Sequence, residues 1–248
     1  MIQLKSSQEI AKMEVANRIV AEILEEVKMQ VRPGVETREL DELAEACCRR
    51  YKVKPAFKGY RGYRHSLCIA VNEEVVHGIP GPRRLKAGDL VSLDFGVLYD
   101  GFYGDAAITV PVGEVTPQAH KLMQTTEESL YAGIAEVKVG GRLGDISHAV
   151  QTTVEQQGFS VIRQFVGHGI GRALHEDPQI PNFGPRGRGP ALKVGMTLAI
   201  EPMTSAGSWE VKILEDGWTA VTEDGSLAAH FEHTVALTEN GVLILSRL

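Results

Sequence analysis

Cysteine is scarce. Cys47, Cys48 and Cys68 are the only three, an odd number with no CxxC spacing, a usage that fits a reduced, cytoplasmic protein better than a disulfide scaffold. Long apolar runs are missing as well. No stretch is long enough to span a bilayer, and the opening MIQLKSSQEIAKMEVANRIV lacks the uninterrupted apolar core of a signal peptide. The expectation is a soluble, intracellular chain with no membrane role. Positive charge is also short: 26 Lys and Arg against 32 Asp and Glu, a net −6, argue against a direct nucleic-acid reader, which would carry a basic face. A composition of 43% hydrophobic and 23% charged residues excludes a disordered or fibrous chain. At 248 residues the chain buries a full core unaided, as one large domain or two small ones.

What is there centres on residues 90–110, LVSLDFGVLYDGFYGDAAITV. Apolar, β-branched runs flank Asp100-Gly101, a dipeptide suited to a two-residue type I′ turn because both positions need φ > 0. A hairpin closed there sets Tyr99 against Phe102, Asp94 against Ala107 and Gly96 against Asp105. Asp94 and Asp105 then project from one face as diagonal neighbours, with Cα atoms roughly 7–8 Å apart. Leu93, Phe95 and Val97 take the opposite face, the normal place for core. Two carboxylates aimed at one point repel and raise each other's pKa unless a cation lies between them. A divalent metal accounts for the pair. The ordinary alternative is two solvated aspartates on an exposed strand face, against which stands the poor fit of Asp to strands.

Before the hairpin, Ser6 and Glu9 form a capping box for a helix carrying Ile10, Met13, Val20, Ile23, Leu24 and Val27 at helical spacing, which ends before Pro33-Gly34. Thr37 caps a second helix with Leu40, Leu43, Ala44 and Cys47 on one stripe. Residues 53–64 are irregular and aromatic-rich. Residues 66–80 read as a strand, a turn at Asn72-Glu73 and a short strand ending at His77-Gly78. After the hairpin, Thr116-Pro117 opens a long helix to Val137, and Asp145 caps another that Gly158 closes. Each half thus runs long helix, glycine turn, second helix, strands. The pattern predicts an internal duplication, with halves of about 1–112 and 113–248 and a site between them; chance similarity of two helical hairpins is the alternative.

The second half adds polar groups. His168 and His175 lie in GFSVIRQFVGHGIGRALHEDP, where Gly167, Gly169 and Gly171 exclude a regular helix and permit close backbone approach to a ligand or metal. Glu201 ends the strand MTLAIEP, which Pro202 stops. AAHFEHTVAL reads as one strand carrying Glu232, by itself an edge residue, and Glu239-Asn240-Gly241 turns into a last strand.

Taken together, HGIP at 77–80, DFG and GD with aspartates at 94 and 105, GHGIG at 167–171 with HE at 175–176, IEP at 200–202 and FEHT at 231–234 resemble the methionine aminopeptidases of type I, peptidase family M24. The match runs in order over almost the whole chain. The resemblance implies an α+β pita-bread fold: two pseudo-symmetric halves in a single catalytic domain, with a curved, mainly antiparallel sheet backed by helices and a dinuclear metal site at its centre. It implies Asp94, Asp105, His168, Glu201 and Glu232 as ligands of two divalent ions, with Asp105 and Glu232 bridging. Carboxylates in that number carry about the charge that two such ions neutralise, and an oxygen-rich set with one imidazole suits Mn²⁺, Fe²⁺, Co²⁺ or Zn²⁺ without selecting among them. By the same resemblance His175 contacts the scissile carbonyl, His77 hydrogen-bonds the peptide near the scissile amide, and Glu201 relays the proton to the leaving amine.

The implied activity is removal of the initiator methionine from deformylated nascent proteins whose second residue is small and uncharged. The implied methionine pocket comprises Tyr60, Tyr63, Cys68, Phe165, Leu174 and Trp218, where thioether–aromatic contacts are favourable; the alternative is that these are plain core residues. Many bacterial relatives have a cysteine where this chain has Phe57 and a larger aromatic where it has Leu174, which leaves the catalytic set intact and touches only pocket shape and inhibitor response. The implied enzyme is cytoplasmic and monomeric, with the N-terminal methionine of nascent polypeptides as its partner and a transient ribosome contact. Two other readings compete. One is an aminopeptidase P or prolidase acting on Xaa-Pro bonds, which usually carries a separate N-terminal domain for which this chain has no room. The other is a non-catalytic binding protein of the same fold, which the presence of the whole ligand set disfavours.

Overall fold

The Asp100-Gly101 dipeptide turns the chain as its chemistry dictates, with φ of 45° and 80°, and the strands Leu90–Tyr99 and Phe102–Pro111 pair in the register expected of a two-residue turn: Tyr99 opposite Phe102, Asp94 opposite Ala107, Gly96 opposite Asp105. In this computed structural model, which describes residues 1–247, that hairpin is the centre of a curved nine-stranded antiparallel sheet. Across it the order is Lys54–Pro55, Leu90–Tyr99, Phe102–Pro111, Glu232–Thr238, Thr197–Ile200, Gly167–Gly169 and Glu176–Ile180. Leu67–Val71 pairs with Leu90–Tyr99, and Gly241–Ile244 with Glu232–Thr238. Two three-stranded sheets flank it, one of Ala228–His230, Met203–Ser205 and Ser160–Val161, the other of Val211–Ile213, Ala220–Thr222 and Glu74–Val76.

Four helices back the sheet: α1 (Ser7–Lys28), α2 (Thr37–Tyr51), α3 (Pro117–Ala135) and α4 (Leu143–Gln156). Helix α1 opens with the expected box, in which Ser6 Oγ accepts the Glu9 N–H and the Glu9 carboxylate accepts the Ser6 N–H. Its Ile23, Leu24 and Val27, with Leu40, Ala44 and Cys47 of α2, pack on Leu93, Phe95 and Val97 of the hairpin. Helices α3 and α4 cover Leu198, Ile200, Val235 and Leu237 with Leu130, Ile134 and Ile146. The hairpin strands therefore bury Leu93, Phe95 and Val97 under helices and turn Asp94 and Asp105 to the concave face. All three cysteines are free and buried. Among the described residues no helix is long and apolar enough to cross a membrane.

Three local expectations are corrected. Thr37 is the first residue of α2 rather than its cap; the cap is Glu36, whose N–H donates to Glu39. The Thr37 hydroxyl is engaged by the Gly81 N–H and C=O at 2.9 and 3.1 Å, so it ties the loop before the hairpin to the helix. Asp145 stands at the third helical position of α4, where its carboxylate accepts the N–H groups of Arg142 and Gly187. AAHFEHTVAL is two strands: at Phe231, whose N–H donates to Pro202 O at 3.3 Å, the chain leaves the small sheet and enters the large one.

Helix α1 crosses the hairpin at Gly104, where a Cβ would come within 2.8 Å of the Asn17 backbone nitrogen. That approach lets the buried Asn17 side chain accept the Asp105 N–H at 3.1 Å while donating to Met13 O at 2.9 Å.

Candidate active site

Register alone aligns the polar residues of the concave face. Cys68, Asp94, Ala107 and Glu232 are successive cross-strand partners and form one lateral row. Two residues along the hairpin, Asp105 lies beside Thr234, and Thr234 continues through Ala199 to His168 as a second row. In a flat sheet Asp105 and His168 would stand three strand spacings, about 14 Å, apart. Here Asp105, His168 and Glu232 offer donor atoms that all lie within 4.8 Å of one another. Sheet curvature closes that distance, and Ala107 and Ala199, the small residues between the polar ones, leave the space open. Thr234 Oγ1 donates to Asp105 O at 2.8 Å and joins the two halves of the row.

Asp94 and Glu201 border this trio. Glu201 Oε1 is 3.5 Å from His168 Nε2, and the Glu201 carbonyl accepts a hydrogen bond from the Asn182 side-chain N–H at 2.9 Å. His168 Nδ1 donates to Gly169 O at 2.9 Å, which leaves Nε2 with a free lone pair facing the carboxylates. Asp94 Oδ1, Asp105 Oδ1 and Glu232 Oε1 are buried with no hydrogen-bond partner. Acceptor-only atoms left unpaired at such depth are costly, and a hard divalent cation satisfies them together. Burial, and then mutual repulsion, raises the Asp105 and Glu232 carboxyls well above the ordinary range. Asp94 and Glu201 are pushed up to about 7, burial again leading. A cation reverses that penalty, and the donor set fits one.

Beside the carboxylates lies a cavity of about 130 Å³ lined by Phe57, Tyr60, Tyr63, Cys68, Leu174 and Trp218, with His77, His175 and the polar cluster at one end. Tyr63 meets the edge of Trp218 at 5.1 Å between ring centres and is locked by donating its hydroxyl to Gly78 O at 2.9 Å. His175, at the exposed mouth, stacks on Tyr60 and bonds the Tyr60 hydroxyl through Nδ1 at 2.8 Å; its ring centre is 4.2 Å from that of His168. The protonated form of His175 is disfavoured, first by the partial burial of the ring and then by His168 and Arg61. His77, at φ 60°, is pushed down to about 4 chiefly by burial. Phe165 stands on the edge of His77, ring centres 5.5 Å apart, and does not line the cavity.

The other sequence-derived candidates converge on this one place. Sequence reasoning missed Arg61 and Val76 in the lining, and it missed His230, a fully buried imidazole whose Nε2 is 3.6 Å from Glu201 Oε2. The only signal for His230 was a histidine two residues before Glu232. It also missed Asn17, a polar residue inside the apolar stripe of α1.

Residues 11–239 match metallopeptidase family M24. Methionine aminopeptidase 1 of Bacillus subtilis (strain 168) is 54% identical over 248 residues, the full length of both chains. The crystal structure of a methionine aminopeptidase from Thermotoga maritima superposes with a TM-score of 0.98 at 53% identity, each chain covered in full. A prolidase from Pyrococcus furiosus shares the fold, with a TM-score of 0.81 at 23% identity over 99% of this chain and 65% of that one. With a family match along most of its length and more than half of its residues shared with methionine aminopeptidases, the chain belongs to metallopeptidase family M24, on its methionine aminopeptidase branch.

Proposed function

We propose that the protein is a metal-dependent exopeptidase that removes the N-terminal methionine of deformylated nascent polypeptides when the second residue is small and uncharged. The observation that carries this reading is the meeting of the Asp105–His168–Glu232 cluster with an aromatic-lined cavity the size of one side chain. An unbranched thioether suits that lining. A carboxylate-rich end suits a free α-amino group, which formylation would remove.

Asp94, Asp105, His168, Glu201 and Glu232 would hold two divalent ions; the oxygen-rich donor set suits Mn²⁺, Fe²⁺, Co²⁺ or Zn²⁺. Bound there, such ions supply Lewis-acid polarisation and lower the pKa of water. The protein's own groups do the rest. A neutral His175 whose Nδ1 accepts from the Tyr60 hydroxyl carries its proton on Nε2 and donates it as a hydrogen bond to the scissile carbonyl oxygen as charge develops there. His77, neutral by burial, bonds the peptide beside the scissile amide. Glu201 would pass a proton from the attacking water to the leaving amine. Tyr60, Tyr63, Cys68, Leu174 and Trp218 receive the methionine, and Phe165 supports His77 from behind. We take residues 1–248 as one catalytic domain with halves of about 1–112 and 113–248, working as a cytoplasmic monomer with a transient ribosome contact.

The test is methionine release from Met-Ala-Ser compared with cleavage of Ala-Pro-Ala, by metal-stripped enzyme with and without Mn²⁺ or Co²⁺. Metal-dependent cleavage of Met-Ala-Ser alone is expected. Cleavage of Ala-Pro-Ala would move the enzyme to Xaa-Pro chemistry, and silence on both with metal bound would make it a binding protein.

A further inference from the structure

His230 has no part in the reaction as described, yet its ring stands directly against Glu201. Its side chain is fully buried, and neither ring nitrogen has a hydrogen-bond partner. A buried polar ring left unpaired costs about 1–3 kcal/mol per group, so the position calls for a partner. The nearest is Glu201: His230 Nε2 stands 3.6 Å from Oε2, while His168 Nε2 stands 3.5 Å from Oε1. The carboxylate is thus flanked by two imidazoles, one on each oxygen.

The backbone of His230 is clamped where it can do this. Its N–H donates to Thr109 Oγ1 at 2.9 Å, and Thr109 Oγ1–H donates to the His230 carbonyl at 2.7 Å. Ser92 Oγ, directly opposite Thr109 in the hairpin, lies 2.8 Å from the same hydroxyl. Ser92 and Thr109 sit two residues beyond Asp94 and Ala107 on the concave face, so the hairpin that presents the aspartates also fixes His230. Across the small sheet His230 pairs with Met203, two residues after Glu201. Among the described residues the tight donor group is Asp105, His168 and Glu232, which leaves His230 outside it.

We propose that His230 is a positioning residue for Glu201: its Nε2–H, 3.6 Å from Oε2, attracts that oxygen and keeps Oε1 turned toward His168 and the metal site. The proposal rests on the reading of Glu201 as a metal ligand. Fixing an outer group on a ligating carboxylate changes metal affinity by about 10- to 100-fold.

The experiment titrates metal-stripped full-length protein with Co²⁺, reading affinity by calorimetry and ligand geometry by the visible Co²⁺ absorption, for wild type, His230→Leu, His230→Gln and Glu201→Gln. His230→Leu should weaken Co²⁺ binding about 10- to 100-fold and distort the spectrum in the direction Glu201→Gln does. His230→Gln, which keeps an N–H donor, should stay near wild type in both. Wild-type affinity and spectrum in folded His230→Leu would overturn the proposal, as would a His230→Gln variant impaired as deeply as His230→Leu. Should His230→Leu fail to fold, His230→Gln decides alone. An unaltered spectrum in Glu201→Gln would instead overturn the assignment of Glu201, and the proposal with it.

Discussion

Asn17 is where the helix layer reaches the metal site, and Asn17→Leu removes the link while keeping the branched shape. In the native protein its side-chain carbonyl takes up the Asp105 N–H at 3.1 Å in a fully buried position. Leucine leaves that N–H without a partner. The penalty for one orphaned buried donor is about 1–3 kcal/mol. Taking about 2 kcal/mol, and about 2–4 °C of melting temperature per kcal/mol for a chain of this size, the expected fall is about 4–8 °C. Mn²⁺ affinity should fall too, because the backbone that aims Asp105 is loosened. Asn17→Asp should be worse, since it brings another carboxylate toward a cluster already raised by mutual repulsion. The assay is a thermal melt followed by circular dichroism, with chelator and with saturating Mn²⁺. An Asn17→Leu protein that melts within a degree or so of wild type, and binds Mn²⁺ as tightly, would refute the role given to this contact.

Other expectations follow from the same geometry. Asp94→Asn and Glu201→Gln should each abolish methionine release while leaving the far-ultraviolet spectrum unchanged; near-native turnover in metal-defined buffer would show the ligand assignment to be wrong. The metal-stripped protein should lose stability as pH rises. Its buried carboxyls titrate in the fold at about 7 or above, against ordinary values of 3.8 and 4.5, so the folded state binds more protons than the unfolded one and the benefit, full below the ordinary range, is lost toward pH 7. Melting temperatures across that window should decline without metal and flatten with Mn²⁺, and a rise without metal would contradict this. Lys5 and Glu176 form a buried ion pair, 3% and 8% exposed, and Glu176 also accepts the N–H groups of Arg172 and Ala173, just before His175. Lys5→Met should cost about 3–5 kcal/mol of stability and lower kcat, and equal stability by denaturant melt would count against it.

The residues that proved legible are those whose meaning is local. Asp100-Gly101 fixed the hairpin and with it the register of Asp94 and Asp105, because a two-residue loop allows one pairing. Ser6 and Glu9 marked the start of α1 for the same reason. Glu201 and Glu232 were legible only in company. Glu232 is an ordinary edge residue until the register sets it in one row with Asp94, and Glu201 gains its meaning beside His168. What escaped depends on long-range approach. Asn17 breaks the stripe of Met13 and Val20, and its purpose is visible only where Gly104 lets the helix down onto Asp105. His230 was read as part of one continuous strand, but the switch of sheets at Phe231 is what turns its ring toward Glu201. Thr37 and Asp145 carry cap chemistry one and three residues inside their helices, where a tertiary bond to Gly81 and a reach back to Arg142 take the place of the simple cap.

The central claim is that the carboxylate and histidine cluster performs the cleavage. Its most direct test is a Mn²⁺ titration of metal-stripped protein in which bound metal and methionine release from Met-Ala-Ser and from N-formyl-Met-Ala-Ser are followed together. Release from the free peptide should rise in step with bound metal and be absent from the formylated one. Methionine release that persists without metal, or that ignores the formyl group, would contradict the account.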